Sequence, residues 1–261
     1  MRNLPSLIVA ILLLMPVSAF AQFEGVIEMK ITTKDGGGTG KTYLSKIGSR
    51  SEMAIQSPKL QQISSGPFRM TTIQKFAEPD LVYHVNDERK TYSIINLKEA
   101  REQAGKLSED TYTVKRIGSD TVAGYACEKA LLTSQGGRET EMCVTKDISG
   151  LSAWMAMMER TAMVKSGMFK ALKEAGLEGL PVRMILRSKE GAPVTTVEMV
   201  HVERQSLSPT LFEIPSDYKE EAAGMSFVTP EMQQKMKDVM EKIKPEQRKM
   251  IEQFMKKPTE K

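Results

Sequence analysis

The feature that most constrains this chain is alternation. From Phe23 to Thr33, Phe23, Gly25, Ile27, Met29 and Ile31 fall on one side while Glu24, Glu28, Lys30 and Thr32 mostly fall on the other. A period of two with one polar side marks a half-buried antiparallel strand. The same pattern returns at Lys41–Ile47, Ser51–Ile55, Phe68–Phe76, Leu81–Val85, Lys90–Ile95, Tyr112–Ile117, Tyr125–Thr133, Thr140–Thr145, Pro181–Ser188 and Val194–Glu203, with a short edge strand at Leu211–Pro215. Asn86-Asp87 and Glu190-Gly191 supply turns, and Leu97–Leu107 reads as a short helix. Roughly ten strands with short connections make a large antiparallel sheet. A sheet of that size curls instead of staying flat.

One helical insertion interrupts the strands at residues 150–176. Leu151, Met155 and Met158 recur at helical spacing, as do Val164, Met168 and Leu172, with Gly167 and Gly176 as break and stop. Such a segment between hairpins covers one face of a curved sheet. The class is therefore α+β: a sheet domain at 22–220 carrying a helical lid. Beyond it, residues 229–257 form a methionine-rich tail. Pro230 opens one amphipathic helix, with Met232, Met236, Val239, Met240 and Ile243 as its stripe. Pro245 restarts a second, with Met250, Ile251, Phe254 and Met255 on its apolar side.

The first 21 residues are a different kind of segment. Arg2, an apolar run at Leu7–Leu14 and Ala19-Phe20-Ala21 make a secretory signal peptide cut before Gln22. The run is shorter than the ~20 residues that span a bilayer, and no later stretch is long and apolar enough. The mature chain of about 240 residues is expected in the periplasm or outside the cell, as one large domain with an appendage. Its +4 charge falls to +3 when Arg2 leaves, and basic and acidic residues alternate. The charge therefore gives no case for a nucleic-acid surface, and no nucleic acid is expected as a partner.

Cys127 and Cys143 flank Gly136-Gly137 and come nearly opposite each other in a hairpin about those glycines. In an oxidising compartment this favours a disulfide over two free buried thiols. Redox catalysis is not expected, because there is no C-x-x-C.

Motifs for catalysis fail on inspection. In "TTKDGGGTGKTYL" (Thr32–Leu44), the phosphate-loop pattern needs glycine where Asp35 stands, and Lys41 onward continues as a strand instead of opening a helix. The stretch reads as a hairpin loop, so no nucleotide is expected. "GLSAW" at Gly150 places Trp154 where a nucleophile elbow needs glycine. His84 and His201, each between strand apolar residues, read as structural, and no multi-ligand metal pattern is present. No cofactor and no enzymatic activity are expected.

The unusual number is 19 methionines against 8 phenylalanines and 1 tryptophan. Methionine is an adaptable filler of cores and of binding surfaces. Its thioether is also a soft ligand for Cu(I). Packing, an adaptable apolar surface and copper all remain open for Met155, Met157, Met158 and the tail stripe.

Together "FEGVIEMK" at Phe23, "DTVAGYACEKALL" at Asp120, "CVTKDI" at Cys143, "GLPVRMIL" at Gly179 and "LFEIPSDYK" at Leu211 resemble the exported bacterial family known as domain of unknown function 4412. The resemblance runs from Phe23 to Tyr218. It implies an architecture similar to periplasmic lipoprotein carriers: an incomplete barrel, helices across its mouth, and acyl chains on the concave face. On that expectation the ligand is a lipid or other apolar molecule, touched by Trp154, Met155, Met158 and Met168. Two alternatives stand beside it: docking of an envelope protein through residues 229–257, and copper binding through methionines.

Overall fold

The computed structural model describes residues 22–61, 66–103, 111–160, 167–222 and Gln234. The expected signal segment and the expected tail, except Gln234, lie outside them, as does Val164. Twelve strands form one curved sheet that does not close into a barrel. In chain order they are β1 (Gly25–Thr33), β2 (Gly36–Leu44), β3 (Gly48–Gln56), β4 (Phe68–Lys75), β5 (Leu81–Asn86) and β6 (Thr91–Asn96). There follow β7 (Tyr112–Val122), β8 (Tyr125–Ser134), β9 (Glu139–Thr145), β10 (Leu180–Arg187), β11 (Pro193–Arg204) and β12 (Lys219–Glu220). Their spatial order is β12-β6-β5-β4-β3-β2-β1-β11-β10-β9-β8-β7. Strands consecutive in the chain are neighbours within β1–β6 and within β7–β11; the two meanders join where β1 meets β11, and β12 adds to the free side of β6. All pairs are antiparallel but the last, β12 on β6.

The edge strand β7 is long and mostly exposed. It carries a bulge between Arg116 and Gly118, with Lys115 and Arg116 beside it, features that disfavour edge-to-edge pairing. Among the described residues the sheet carries the short helices α1 (Pro58–Gln61), α2 (Leu97–Gln103), α3 (Ser152–Arg160) and α4 (Met168–Glu174).

The expected α+β class and helical insertion are present, and the insertion is two helices. α4 stops at Gly176, whose φ of 71° only glycine adopts cheaply. The Gly176 N–H bonds the Lys173 carbonyl and the Leu177 N–H bonds that of Leu172, while both leucines enter the same core. That is the glycine-stopped helix end with its hydrophobic contact.

Two local readings are corrected. Leu211–Pro215 is no strand: Pro209–Phe212 forms a 3₁₀ turn, and the edge strand lies later, at Lys219–Glu220. Prolines at 209 and 215 remove the donors a ladder needs. The glycine stretch is no loop either. The β1–β2 turn takes only Lys34-Asp35, and Gly36 to Leu44 are all strand, paired with β1 throughout and with β3 from Gly37 on. β1 and β3 supply the hydrogen bonds that hold side-chain-free residues extended, overriding their turn preference.

Three cores cover the sheet. Phe23, Ile27, Leu44, Cys127, Cys143, Leu180, Val182 and Met199 gather with Leu151, and Trp154 and Met155 of α3 pack on them. Ala130, Leu132, Met142 and Val144 gather under Leu172 of α4. On the opposite face, Ile73, Tyr83 and Val85 are covered by Ile214 and Tyr218 of the C-terminal strap. The strap is pinned by Arg89 to Glu221 (3.0 Å), Lys90 to Asp217 (2.6 Å) and the Tyr218 hydroxyl to Asp87 (2.8 Å). We call the face that carries α3 and α4 the inner face.

The expected disulfide is formed. Cys127 and Cys143 bond across β8 and β9, with 5.4 Å between their Cα atoms, inside the first core. A bridge closing a loop of this length stabilises by about 3 kcal/mol in the chain-entropy model.

Candidate functional site

Directly opposed residues on neighbouring strands share a face, so the pairing register lays out the inner face in rows. One row runs Met184 (β10), Val197 (β11), Ile31 (β1), Gly38 (β2), Ile55 (β3), Phe68 (β4). The next, two residues along each strand, runs Met199, Met29, Gly40, Met53, Met70. Met29, Ile31, Met53, Ile55, Phe68, Met70, Met184 and Val197 are all half-buried. They form an apolar groove whose floor at β2 is bare backbone.

The two floor glycines differ. A methyl group on Gly40 would lie 3.4 Å from the Met29 Cε and 4.0 Å from the Met53 Cγ, so two flexible thioethers face each other across it. A methyl on Gly38 would lie 2.3 Å from the Ala54 carbonyl oxygen, which belongs to the β3 backbone. Gly38 lets β2 and β3 pair; Gly40, itself buried, lets the Met29 and Met53 side chains lie directly over the β2 backbone. Beyond the apolar rows, Thr33 and Thr195 line an open depression of about 240 Å³ with Lys34, Asp35, Ser57 and Val194.

In the other direction the inner face turns polar. The third row runs Val202, Ile27, Thr42, Ser51, Thr72, His84, Ser93. Thr42 and Ser51 share a hydrogen bond of 3.1 Å, and Thr72 Oγ1 lies 3.3 Å from His84 Nδ1. Beside them, Gln74 pairs with Ser49 and is 8% exposed. Its side-chain nitrogen has no hydrogen-bond partner. Burial pulls the His84 pKa from 6.5 down to about 4, so the ring is neutral at neutral pH.

Electrostatics separate the two faces. The inner positions of β1–β6 are residues 25–33, 36–44, 49–55, 68–74, 82–86 and 91–95 taken alternately, and none is Asp, Glu, Lys or Arg. In a chain with 27% charged residues this sorting is strict. The charges stand outside, as in Lys41–Glu28 (3.0 Å) and Arg50–Glu52 (2.7 Å). Tyr83 and Tyr218, on the outer face, are pushed up to about 12 by burial and by bonds to Glu78 and Asp87.

The four lid residues expected to touch a ligand divide between two cores. Trp154 and Met155 pack on the disulfide core, Met168 packs on the Leu132–Met142 core, and Met158 is half-buried. Met157 is the buried methionine of α3, at 4% exposure. Sequence reasoning missed the sheet methionines Met53, Met70, Met184 and Met199, because only register brings them together with Met29. It also missed Gln74. His201 is exposed, 3.8 Å from Glu203. Among the described residues no group of three His, Cys, Asp or Glu could hold a metal ion, and no helix is long and apolar enough to cross a membrane.

The model of the family described as Domain of unknown function (DUF4412) matches residues 23–218. No curated protein matches the chain in sequence. The chain is similar to an uncharacterized conserved protein from Thermus thermophilus at 11% identity, covering 76% of this chain and 90% of that one, with a TM-score of 0.43. It is similar to the Pseudomonas aeruginosa MucA/MucB complex structure at 8% identity and a TM-score of 0.41, covering 76% of this chain and only 57% of that one. A third similar structure is a putative outer membrane lipoprotein-sorting protein domain from Vibrio parahaemolyticus, at 9% identity, covering 75% and 90% of the two chains, with a TM-score of 0.28.

Proposed function

We propose that this chain, which belongs to the family described as Domain of unknown function (DUF4412), is an exported, non-enzymatic binding protein that holds a lipid or other apolar ligand on the inner face of its sheet. The observation that carries the reading is the half-buried groove of Met29, Ile31, Met53, Ile55, Phe68 and Met70 around a glycine floor. An acyl chain laid there gains about 0.8 kcal/mol for each CH₂ taken from water. Methionines on both sides of Gly40 adapt to chains of different shape. Trp154, Met155, Met158 and Met168 close over the ligand from the lid. The signal segment and the Cys127–Cys143 bond support an oxidising compartment outside the cytoplasm.

The test is to purify the mature protein from its native compartment and examine it by native mass spectrometry, then to titrate it with a fluorescent fatty acid. A bound mass in the lipid range and saturable uptake are expected. Absence of both sinks the proposal.

A further inference from the structure

We infer that the row Thr42, Ser51, Thr72, His84 and Ser93, with Gln74 beside it, is the subsite for the polar head of the ligand, and that this head is uncharged and hydrogen-bonding, as in a glycerol ester. The inference rests on the reading that the neighbouring groove holds an acyl chain.

The first argument is position. Thr42, Ser51 and Thr72 stand two residues along β2, β3 and β4 from Gly40, Met53 and Met70. The polar row therefore begins about 7 Å from the methionine row, one repeat of the pleat. A chain lying in the groove brings its head to Ser51 and Thr72, the half-buried members of the row, with Thr42 bonded behind Ser51.

The second argument is an unsatisfied donor. Packing alone would favour valine and leucine at these positions, since Thr42 is 1% and Ser93 0% exposed. Gln74 is more than nine-tenths buried, on the same face of β4 as Thr72, and its amide nitrogen has no partner. Burying such a group unpaired is costly, and native proteins keep it where something else supplies the acceptor. An ester carbonyl or a hydroxyl is that acceptor.

The third argument is charge. The inner positions of β1–β6 carry no ionisable side chain except His84, and burial keeps His84 neutral at neutral pH. A carboxylate or phosphate head would enter with no opposite charge to meet it, which a partly desolvated site penalises heavily.

The experiment uses the full mature chain with the apolar dye N-phenyl-1-naphthylamine bound, displaced by 1-monodecanoylglycerol or by decanoate at pH 8. The monoglyceride is expected to displace the dye at about tenfold lower concentration, the worth of one or two well-made hydrogen bonds. Gln74→Leu, alone and with Ser51→Ala, is expected to erase most of that difference while dye affinity stays the same. Gln74→Leu is also expected to melt no lower than the parent, because it removes an unpaired buried amide. Equal or tighter displacement by decanoate overturns the inference, as does a preference that survives Gln74→Leu. Melting several degrees lower overturns it too, since the amide would then be partnered within the protein. Failure of the dye itself to bind instead refutes the apolar groove from which the inference starts.

Discussion

The glycine floor of β2 permits a sharp prediction, because two glycines two residues apart should respond in opposite ways. Gly40→Ala adds a methyl that meets only side-chain atoms, the Met29 Cε at 3.4 Å, the Met29 Cβ at 3.7 Å and the Met53 Cγ at 4.0 Å; the tightest of these is the free end of a flexible thioether that can move aside. Gly40 does not have a positive φ, so alanine also narrows the unfolded ensemble. The variant is expected to gain up to about 1 kcal/mol of stability. Gly40→Leu places four carbons in the groove, the volume of about four methylenes of a bound chain. At about 0.8 kcal/mol each this forfeits about 3 kcal/mol of binding, or about a hundredfold in affinity. Gly38→Ala puts its methyl 2.3 Å from the Ala54 oxygen, so β2 and β3 must separate. A loss of about 3 kcal/mol in stability is expected, or roughly 6–12 °C in melting temperature for a domain of this size. Dye titration and thermal melts by circular dichroism measure both quantities on the same samples. A folded Gly40→Leu protein that binds the dye as tightly as the parent would refute the groove as the site. A Gly38→Ala protein of unchanged stability would refute the assigned register of β2 on β3.

Three further outcomes follow from the same geometry. Replacing Cys127 and Cys143 by alanine together removes a buried cross-link over a separation of 16 residues; loss of about 3 kcal/mol is expected, read from urea midpoints, and an unchanged midpoint contradicts the chain-entropy account. For His84, the unfolded ring titrates near 6.5 and the folded ring near 4, so between those values the unfolded chain binds the extra proton. Its contribution to stability is constant above pH 6.5 and is lost as pH falls from 6.5 towards 4; in His84→Phe this part of the pH slope should vanish, and an identical slope in both proteins shows that other groups set it. Arg89→Ala removes the guanidinium that bonds Glu221 at 3.0 Å and leaves it the Thr91 hydroxyl, and about 2 kcal/mol is at stake; faster hydrogen exchange at the Lys219 and Glu221 amides, which bond Lys90 and Tyr92, is the readout, and unchanged exchange means the strap is held without Arg89, by the Lys90–Asp217 and Tyr218–Asp87 bonds and the packing of Ile214.

How much of this was legible in the sequence depends on whether the information is local. Alternation is local, and it located the strands of the two meanders and the helical insertion. The stop at Gly176 was legible for the same reason, since a helix end needs only its own last turn. The stretch from Gly36 to Gly40 was misread because glycine carries no alternation, and its turn preference was the only local signal left. What makes it strand is two partners, β1 and β3, whose pairing no short window contains. Leu211–Pro215 failed in the opposite sense: its apolar residues suggest a strand, but it is paired with none, and Ile214 packs on the outer face with Tyr83 instead.

The same reasoning explains why the lid methionines drew attention and the sheet methionines did not. Met155 and Met158 are three apart, a spacing that any helical template finds. Met29, Met53, Met70 and Met199 lie far apart in sequence and meet only because β11, β1, β2, β3 and β4 pair in one register. A shift of β2 by one residue would turn Gly38, Gly40 and Thr42 to the outer face and bring Lys41 and Tyr43 inside. It would put a charge into an inner face that has none over six strands. The binding character of that face therefore depends on register, and register is held by the exclusion of charge from it as much as by the bulge and turn positions. An inward charge placed at Gly40, as in Gly40→Lys, tests this directly. If the sheet kept its register, the lysine would lie unpaired between Met29 and Met53, and ligand binding would fail. If it slipped, amide exchange protection would change along the whole of β2, from Gly36 to Leu44.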